Sequence, residues 1–139
     1  TSLTLGLAEA LAMMNSEGIQ EIQRRHKLLS EACREAALAL NLGLLAQEHP
    51  SRALTAVTAP ESLATGTIVK GLREQFGIRV AGGQEHLKGR IFRIGHLGWV
   101  NGGDILKTIG ALEDVLAHNS HSFDRGSGLR AAGKVLSEL

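Results

Sequence analysis

Lys88-Gly89-Arg90-Ile91-Phe92-Arg93-Ile94-Gly95-His96-Leu97-Gly98 is a β-forming run set between glycines. Gly89 breaks the chain ahead of it and Gly95 and Gly98 break it behind, so residues 90–95 read as one strand. Its centre is apolar except for Arg93. A guanidinium held between Phe92 and Ile94 must find an anion or water, because an unpaired buried charge is very costly. Two readings follow. Arg93 is a carboxylate receptor, a planar fork that grips its ligand through two parallel hydrogen bonds. Alternatively it is structural, as an ion pair or as an arginine on the solvated face of an edge strand.

Moving outward toward the N-terminus, Ala81-Gly82-Gly83-Gln84 is a sharp loop, and Ile78-Arg79-Val80 alternates like a second strand. No G-x-x-x-x-G-K-[ST] or G-x-G-x-x-G pattern occurs, so an ordinary strand connection explains the glycines better than a phosphate cradle. Ile68, Leu72 and Phe76 lie four apart with Gly77 behind them, which predicts a helix over residues 65–76. Residues 54–59, rich in Thr, Val and Ala and bounded by Pro60, read as a strand, while Leu44-Leu45-Ala46 is only a short apolar run. Before them, Ile19, Ile22, His26, Leu29, Cys33, Ala36 and Leu40 mark an amphipathic helix closed by Asn41 and Gly43. Leu3, Leu7, Leu11 and Met14 mark another, interrupted at Ser16-Glu17-Gly18. That first stripe is already under way at Leu3, the expectation for a helix entered from a longer chain.

Toward the C-terminus, Asn101 stands at an N-cap with Asp104 three residues on, and Ile105, Ile109, Leu112 and Leu116 form the stripe of a long helix. Residues 119–128 hold three Ser and two Gly among polar neighbours and read as a flexible link, followed by a short terminal helix over residues 129–139. The domain proper is therefore expected over residues 1–118. Two helices, a strand, a helix, two strands and a helix imply an α+β fold, a small mixed and mainly antiparallel sheet with helices packed on one face.

Composition narrows the function. The formal net charge is +1 with basic residues scattered, and aromatic content is 3%, which argues against a nucleic-acid partner. No apolar run reaches the roughly 20 residues of a membrane helix, so no membrane partner is expected. A single cysteine, Cys33, forms no internal disulfide and fits a reducing, cytoplasmic setting. Cys33 on an alanine-rich helix face is a core residue. His96, among Gly95, Gly98 and Trp99, is a possible acid or base. His86 and His96 lack metal-site spacing, His26 lies on an apolar stripe, and His118 and His121 sit at or in the polar link, so no metal site is assigned.

The run Lys88-Gly89-Arg90-Ile91-Phe92-Arg93-Ile94-Gly95-His96-Leu97-Gly98, preceded by Gly82-Gly83, resembles the C-terminal region of class V pyridoxal-phosphate aminotransferases. The family pattern is a Gly-Gly loop, a basic turn and then K-G-x-x-x-R-I-G-x-x-G. Glu17-Gly18 with Arg25-His26 resembles the family's E-G-x₆-R-H helix, and the likeness covers roughly residues 3–118. The group includes serine–pyruvate, alanine–glyoxylate and related aspartate aminotransferases, and cyanobacterial proteins named soluble hydrogenase small subunit.

The resemblance implies a C-terminal small domain of the fold-type I kind, preceded by an interdomain helix. It implies that Arg93 binds the α-carboxylate of a small amino acid or 2-oxo acid substrate. The catalytic lysine and the other cofactor contacts would belong to a large N-terminal domain outside this sequence. None of Lys27, Lys70, Lys88, Lys107 or Lys134 stands in the family's cofactor-lysine context, so no catalytic or cofactor-binding residue is assigned here. The fragment alone would be inactive and bind no pyridoxal phosphate, and the whole protein would be a homodimer. The alternatives are a non-catalytic carboxylate-binding module and an interaction subunit of a redox complex.

Overall fold

Capping chemistry and apolar spacing place the helices. The computed structural model, which describes residues 1–139, has five of them beside a four-stranded sheet. The order is α1 (Ser2–Glu17), α2 (Ile19–Ala39), β1 (Gly43–Leu44), β2 (Leu54–Thr58), α3 (Thr65–Phe76), β3 (Ala81–Gly82), β4 (Ile91–Gly95), α4 (Gly102–His118) and α5 (Ser127–Leu136). α1 and α2 part at Gly18, whose φ of 88° suits glycine. Asn101 and Asp104 form a reciprocal capping box at the start of α4, each side chain 3.0 Å from the other residue's backbone nitrogen.

Gly77 closes α3 in the left-handed conformation at φ 66°. Its N–H donates to the Arg73 carbonyl and the Ile78 N–H donates to Leu72, wrapping the chain back on the helix end. This corrects the strand expected at residues 78–80. The Ile78 amide is spent on the helix terminus, Ile78 and Val80 pack against the core from irregular backbone, and β3 starts only at Ala81.

The sheet order is β1-β2-β4-β3 and every pairing is antiparallel. β4 is therefore an interior strand, and an edge-strand position for Arg93 is ruled out. Opposite β4, Thr55 pairs with Ile94 and Val57 with Phe92. These four residues lie on the face that meets the helices, and all are buried. Phe92, Leu29, Leu72, Ile109 and Leu112 are fully excluded from solvent at the centre of the core. Each large side chain so buried contributes about 1.5–3 kcal/mol. Cys33 is among the core residues, and burial pushes its thiol up to about 12.

Two polar groups are buried with the apolar ones. His96, just beyond β4, donates from Nδ1 to the Arg52 carbonyl (3.1 Å) and accepts the Thr55 hydroxyl at Nε2 (2.9 Å). Burial lowers its pKa below the ordinary value of 6.5, against a smaller opposing effect of the Arg52 carbonyl. Glu113 of α4 accepts the N–H groups of Gly126 (2.7 Å) and Leu129 (3.1 Å), supplying from a neighbouring helix the cap that α5 lacks locally.

The terminal helix expected over residues 129–139 is present as α5, and the polar residues before it are hydrogen-bonded to the end of α2. His121 Nε2 donates to the Leu40 carbonyl at 2.8 Å, Asn41 Nδ2 to Ser122 at 2.9 Å and the Ser127 hydroxyl to Ala39 at 2.9 Å. α5 then packs along α2 with Ala132 fully buried. Residue 118 therefore marks no break in packing. α1 is the exception to the packed body, because none of its residues is buried. Leu3, Leu7, Leu11 and Met14 are 86%, 60%, 49% and 44% exposed. No helix is long and apolar enough to cross a membrane.

Two measurements follow from this packing. A histidine whose folded pKa is depressed contributes its stability in full above 6.5, and that contribution is lost as pH falls below 6.5 toward the folded value. Urea melts should therefore show a steeper acid loss of stability in the native chain than in His96→Gln, and equal slopes would exclude the linkage. A Cβ at Gly128 would stand 2.9 Å from the buried Leu40 side chain, whereas one at Gly133 meets nothing within 4 Å. Gly128→Ala should cost about 1–3 kcal/mol by overpacking. Gly133→Ala, inside the same helix, should stabilise by up to about 1 kcal/mol.

Candidate functional site

Strand alternation puts Arg93 on the face opposite Phe92 and Ile94, the face of the sheet away from the core. Its neighbours across the sheet are Ala56 on β2 and Ala81 on β3. Both are small, so little side-chain bulk flanks Arg93 across the sheet. The half-buried side chain is oriented by one bond, from Nε to the Gly82 carbonyl at 3.0 Å. Arg93 takes part in none of the chain's ion pairs. The structural ion pair weighed from the sequence is therefore absent. The terminal Nη1 and Nη2 have no protein partner, and because no buried polar side-chain atom lacks one, both keep contact with solvent. An arginine fixed at Nε with its two terminal nitrogens free offers its Nη1–Nη2 edge, which a carboxylate takes end-on through two parallel bonds.

The glycine loop beside Arg93 has a steric explanation. A Cβ on Gly83 would run into the Leu87 carbonyl, and the Gly83 N–H donates to Ile91 at 3.0 Å, continuing the β3–β4 pairing into the turn. The close approach is backbone on backbone. It also brings the Gly82 carbonyl to Arg93, so the loop serves as the arginine's support.

The histidines separate by burial. His96 is packed and doubly hydrogen-bonded inside the fold, which takes it out of reach as an acid or base. His26, on the α2 stripe, is 7% exposed, with Nδ1 2.6 Å from the Ile22 carbonyl and Nε2 accepting the Gly98 N–H at 3.0 Å. His86 is exposed on the turn after β3. No three His, Cys, Asp or Glu side chains converge as metal ligands would.

Lys27, Lys70, Lys88, Lys107 and Lys134 are all solvent-exposed. None is sheltered within this chain as a Schiff-base lysine is. One constellation was not assigned a role from the sequence. Arg25 joins Glu17 to the loop after β4, beside an apolar groove between α1 and Trp99. The glycines at positions 18 and 98 were its visible signal, since φ values of 88° and 92° mark both as enforced turns.

No family model matches the chain. It is 47% identical over 138 residues to a soluble hydrogenase small subunit of Synechococcus sp. (strain PCC 6716), covering 98% of this chain and 36% of that protein. It is 36% identical to a serine–glyoxylate aminotransferase of Methylorubrum extorquens, covering 98% of this chain and 34% of the relative. The fold superposes on ureidoglycine–glyoxylate aminotransferase of Bacillus subtilis with a TM-score of 0.88 at 27% identity, over 93% of this chain and 34% of that one. Pyridoxamine–pyruvate aminotransferase of Mesorhizobium loti gives 0.89 at 25% identity, over 96% and 35%. The chain thus spans about a third of the length of the relatives it matches. Sequence and fold agree along nearly its whole length: the chain is related to the aminotransferases.

Proposed function

We propose that this domain closes over the substrate in a pyridoxal-phosphate-dependent aminotransferase acting on a small amino acid and a 2-oxo acid. Arg93 receives the substrate carboxylate. The observation that carries this reading is the free Nη1–Nη2 edge of Arg93, whose Nε is held by the Gly82 carbonyl, with Ala56 and Ala81 as its neighbours across the sheet. Both partners of a transamination carry a carboxylate, so one receptor serves both halves of the reaction. The cofactor, when bound, supplies the electron sink for the reaction at the amino-bearing carbon. Its lysine and ring contacts come from a large domain preceding this sequence. This chain's part is to bind and orient the carboxylate and to cover the substrate against water. Alone it is inactive, and the whole protein is a cytoplasmic homodimer.

A second reading has one observation in its favour, the 47% identity to a relative named as a soluble hydrogenase subunit. On that reading the domain is an interaction module whose Arg93 grips a carboxylate without chemistry. With Cys33 buried as its single cysteine, the chain by itself offers no thiolate set for an iron–sulfur cluster.

Substitution at Arg93 in the full-length protein decides between the two readings. Hydrogen bonds to charged groups contribute about 1.5–3 kcal/mol each, so losing the two-bond contact in Arg93→Ala should lower kcat/KM roughly hundredfold to ten-thousandfold for amino acids and 2-oxo acids alike. Arg93→Lys keeps the charge but loses the fork and should recover only part of this. Cofactor loading and Tm should barely move, because only the bond to Gly82 is lost. Normal carboxylate capture by a destabilised Arg93→Ala protein would make the residue structural, and a wild type without transaminase activity would favour the interaction module.

A further inference from the structure

Arg25 uses four of its N–H groups on three residues in two separate parts of the chain. Nε and Nη2 grip the Glu17 carboxylate at 2.6 and 3.0 Å, and Nη1 reaches the carbonyls of Gly98 at 2.9 Å and Val100 at 2.8 Å. The Gly98 peptide is held on its other side as well, since its N–H donates to His26 Nε2 at 3.0 Å. One arginine near the start of α2 therefore ties the last residue of α1 to the loop that leaves the Arg93 strand.

The ties meet at two glycines that no other residue replaces without strain. Gly18 separates α1 from α2 at φ 88° and Gly98 turns the loop at φ 92°. α1 has no buried residue, so the packed core does not fix its direction. The Glu17–Arg25 fork does. Both side chains are mostly shielded, at 28% and 18% exposure, and the bond from Arg25 holds the Glu17 carboxyl below its ordinary range. A shielded bidentate pair of this kind is geometrically specific where a surface pair is not.

We infer that Arg25 and Glu17 are positioning residues: they lock α1 and the loop bearing Leu97 and Trp99 into one rigid surface. A cavity of about 390 Å³ lies between them, lined by Met13 and Met14 on one side and by Leu97 and Trp99 on the other. The lock sets its width. Resting on the reading of this chain as a small domain entered through α1, the same lock sets the angle at which Arg93 is presented to the reaction centre.

The test is a distance measurement between spin labels on the full-length protein, one at Ala8→Cys on α1 and one at Lys107→Cys on α4, both exposed positions. Cys33 stays in place, being buried and held protonated, and other accessible cysteines are replaced. The native lock should give a single narrow distance. Arg25→Ala should lose it in favour of a broad distribution, Arg25→Lys should restore it only in part, and Arg93→Ala should leave it unchanged. In kinetics Arg25→Ala should raise KM for both substrates with kcat little altered. Should Arg25→Ala fail to fold, Glu17→Gln removes the ion pair while sparing the bonds to Gly98 and Val100, and should broaden the distance as well. A narrow, native distance in folded Arg25→Ala or Glu17→Gln protein overturns the lock. Because the spin-label result needs no turnover, failure of the lock and failure of the carboxylate assignment at Arg93 are read separately.

Discussion

The antiparallel pairing of β2 with β4 places every feature of consequence in this domain. Five residue pairs, from Leu54 with Gly95 to Thr58 with Ile91, fix which side of the sheet each residue occupies. With Phe92 and Ile94 against the helices, Arg93 has only the other face to occupy. A slip of one residue would bury the guanidinium and expose the aromatic ring, a double penalty that holds the register. The apolar core therefore specifies the orientation of a charged residue it never touches.

That constraint accounts for the two-layer construction. Helices cover one face of the sheet, and on the other Ala56 and Ala81 flank Arg93 with almost no side-chain bulk. A domain meant to be self-sufficient would cover or fill such a face. Here the openness is local and has a charged group at its centre. α1 is likewise uncovered and carries Leu3, Leu7 and Leu11 into solvent. The two are linked through β4, its exit loop and Arg25.

Much of this was legible in the sequence, for physical reasons that differ by element. α3 and α4 were readable because local chemistry ends or begins them: Gly77 in the left-handed region, Asn101 and Asp104 in a capping box. β4 was readable from its apolar run between glycines. β1 was not, since a strand of two residues has no period to detect. The run from Ile78 to Val80 misled because alternation reports burial: Ile78 and Val80 are partly buried against the core and Arg79 is exposed, while the Ile78 amide closes a helix. Residues 119–128 read as mobile from composition, yet their polar groups are spent on the α2 terminus and on Glu113, partners some 13 to 88 residues away that no local window reveals. At the site, Arg93 was visible as a charge in an apolar strand. Its Gly82 support and the Arg25 junction exist only once distant segments meet.

The docking of α5 on α2 has a consequence for how the domain comes into being. Leu40 at the end of α2 lies against Gly128, and Ala132 completes the core beside it. Contacts spanning that much sequence must await the synthesis of α5, so during translation the apolar stripe of α2 emerges from the ribosome long before its cover. Glu113 is made ahead of the helix it caps, ready to receive the Gly126 and Leu129 amides as they arrive. A nascent chain halted anywhere in α4 would leave Leu40 without the Gly128 backbone that it packs on.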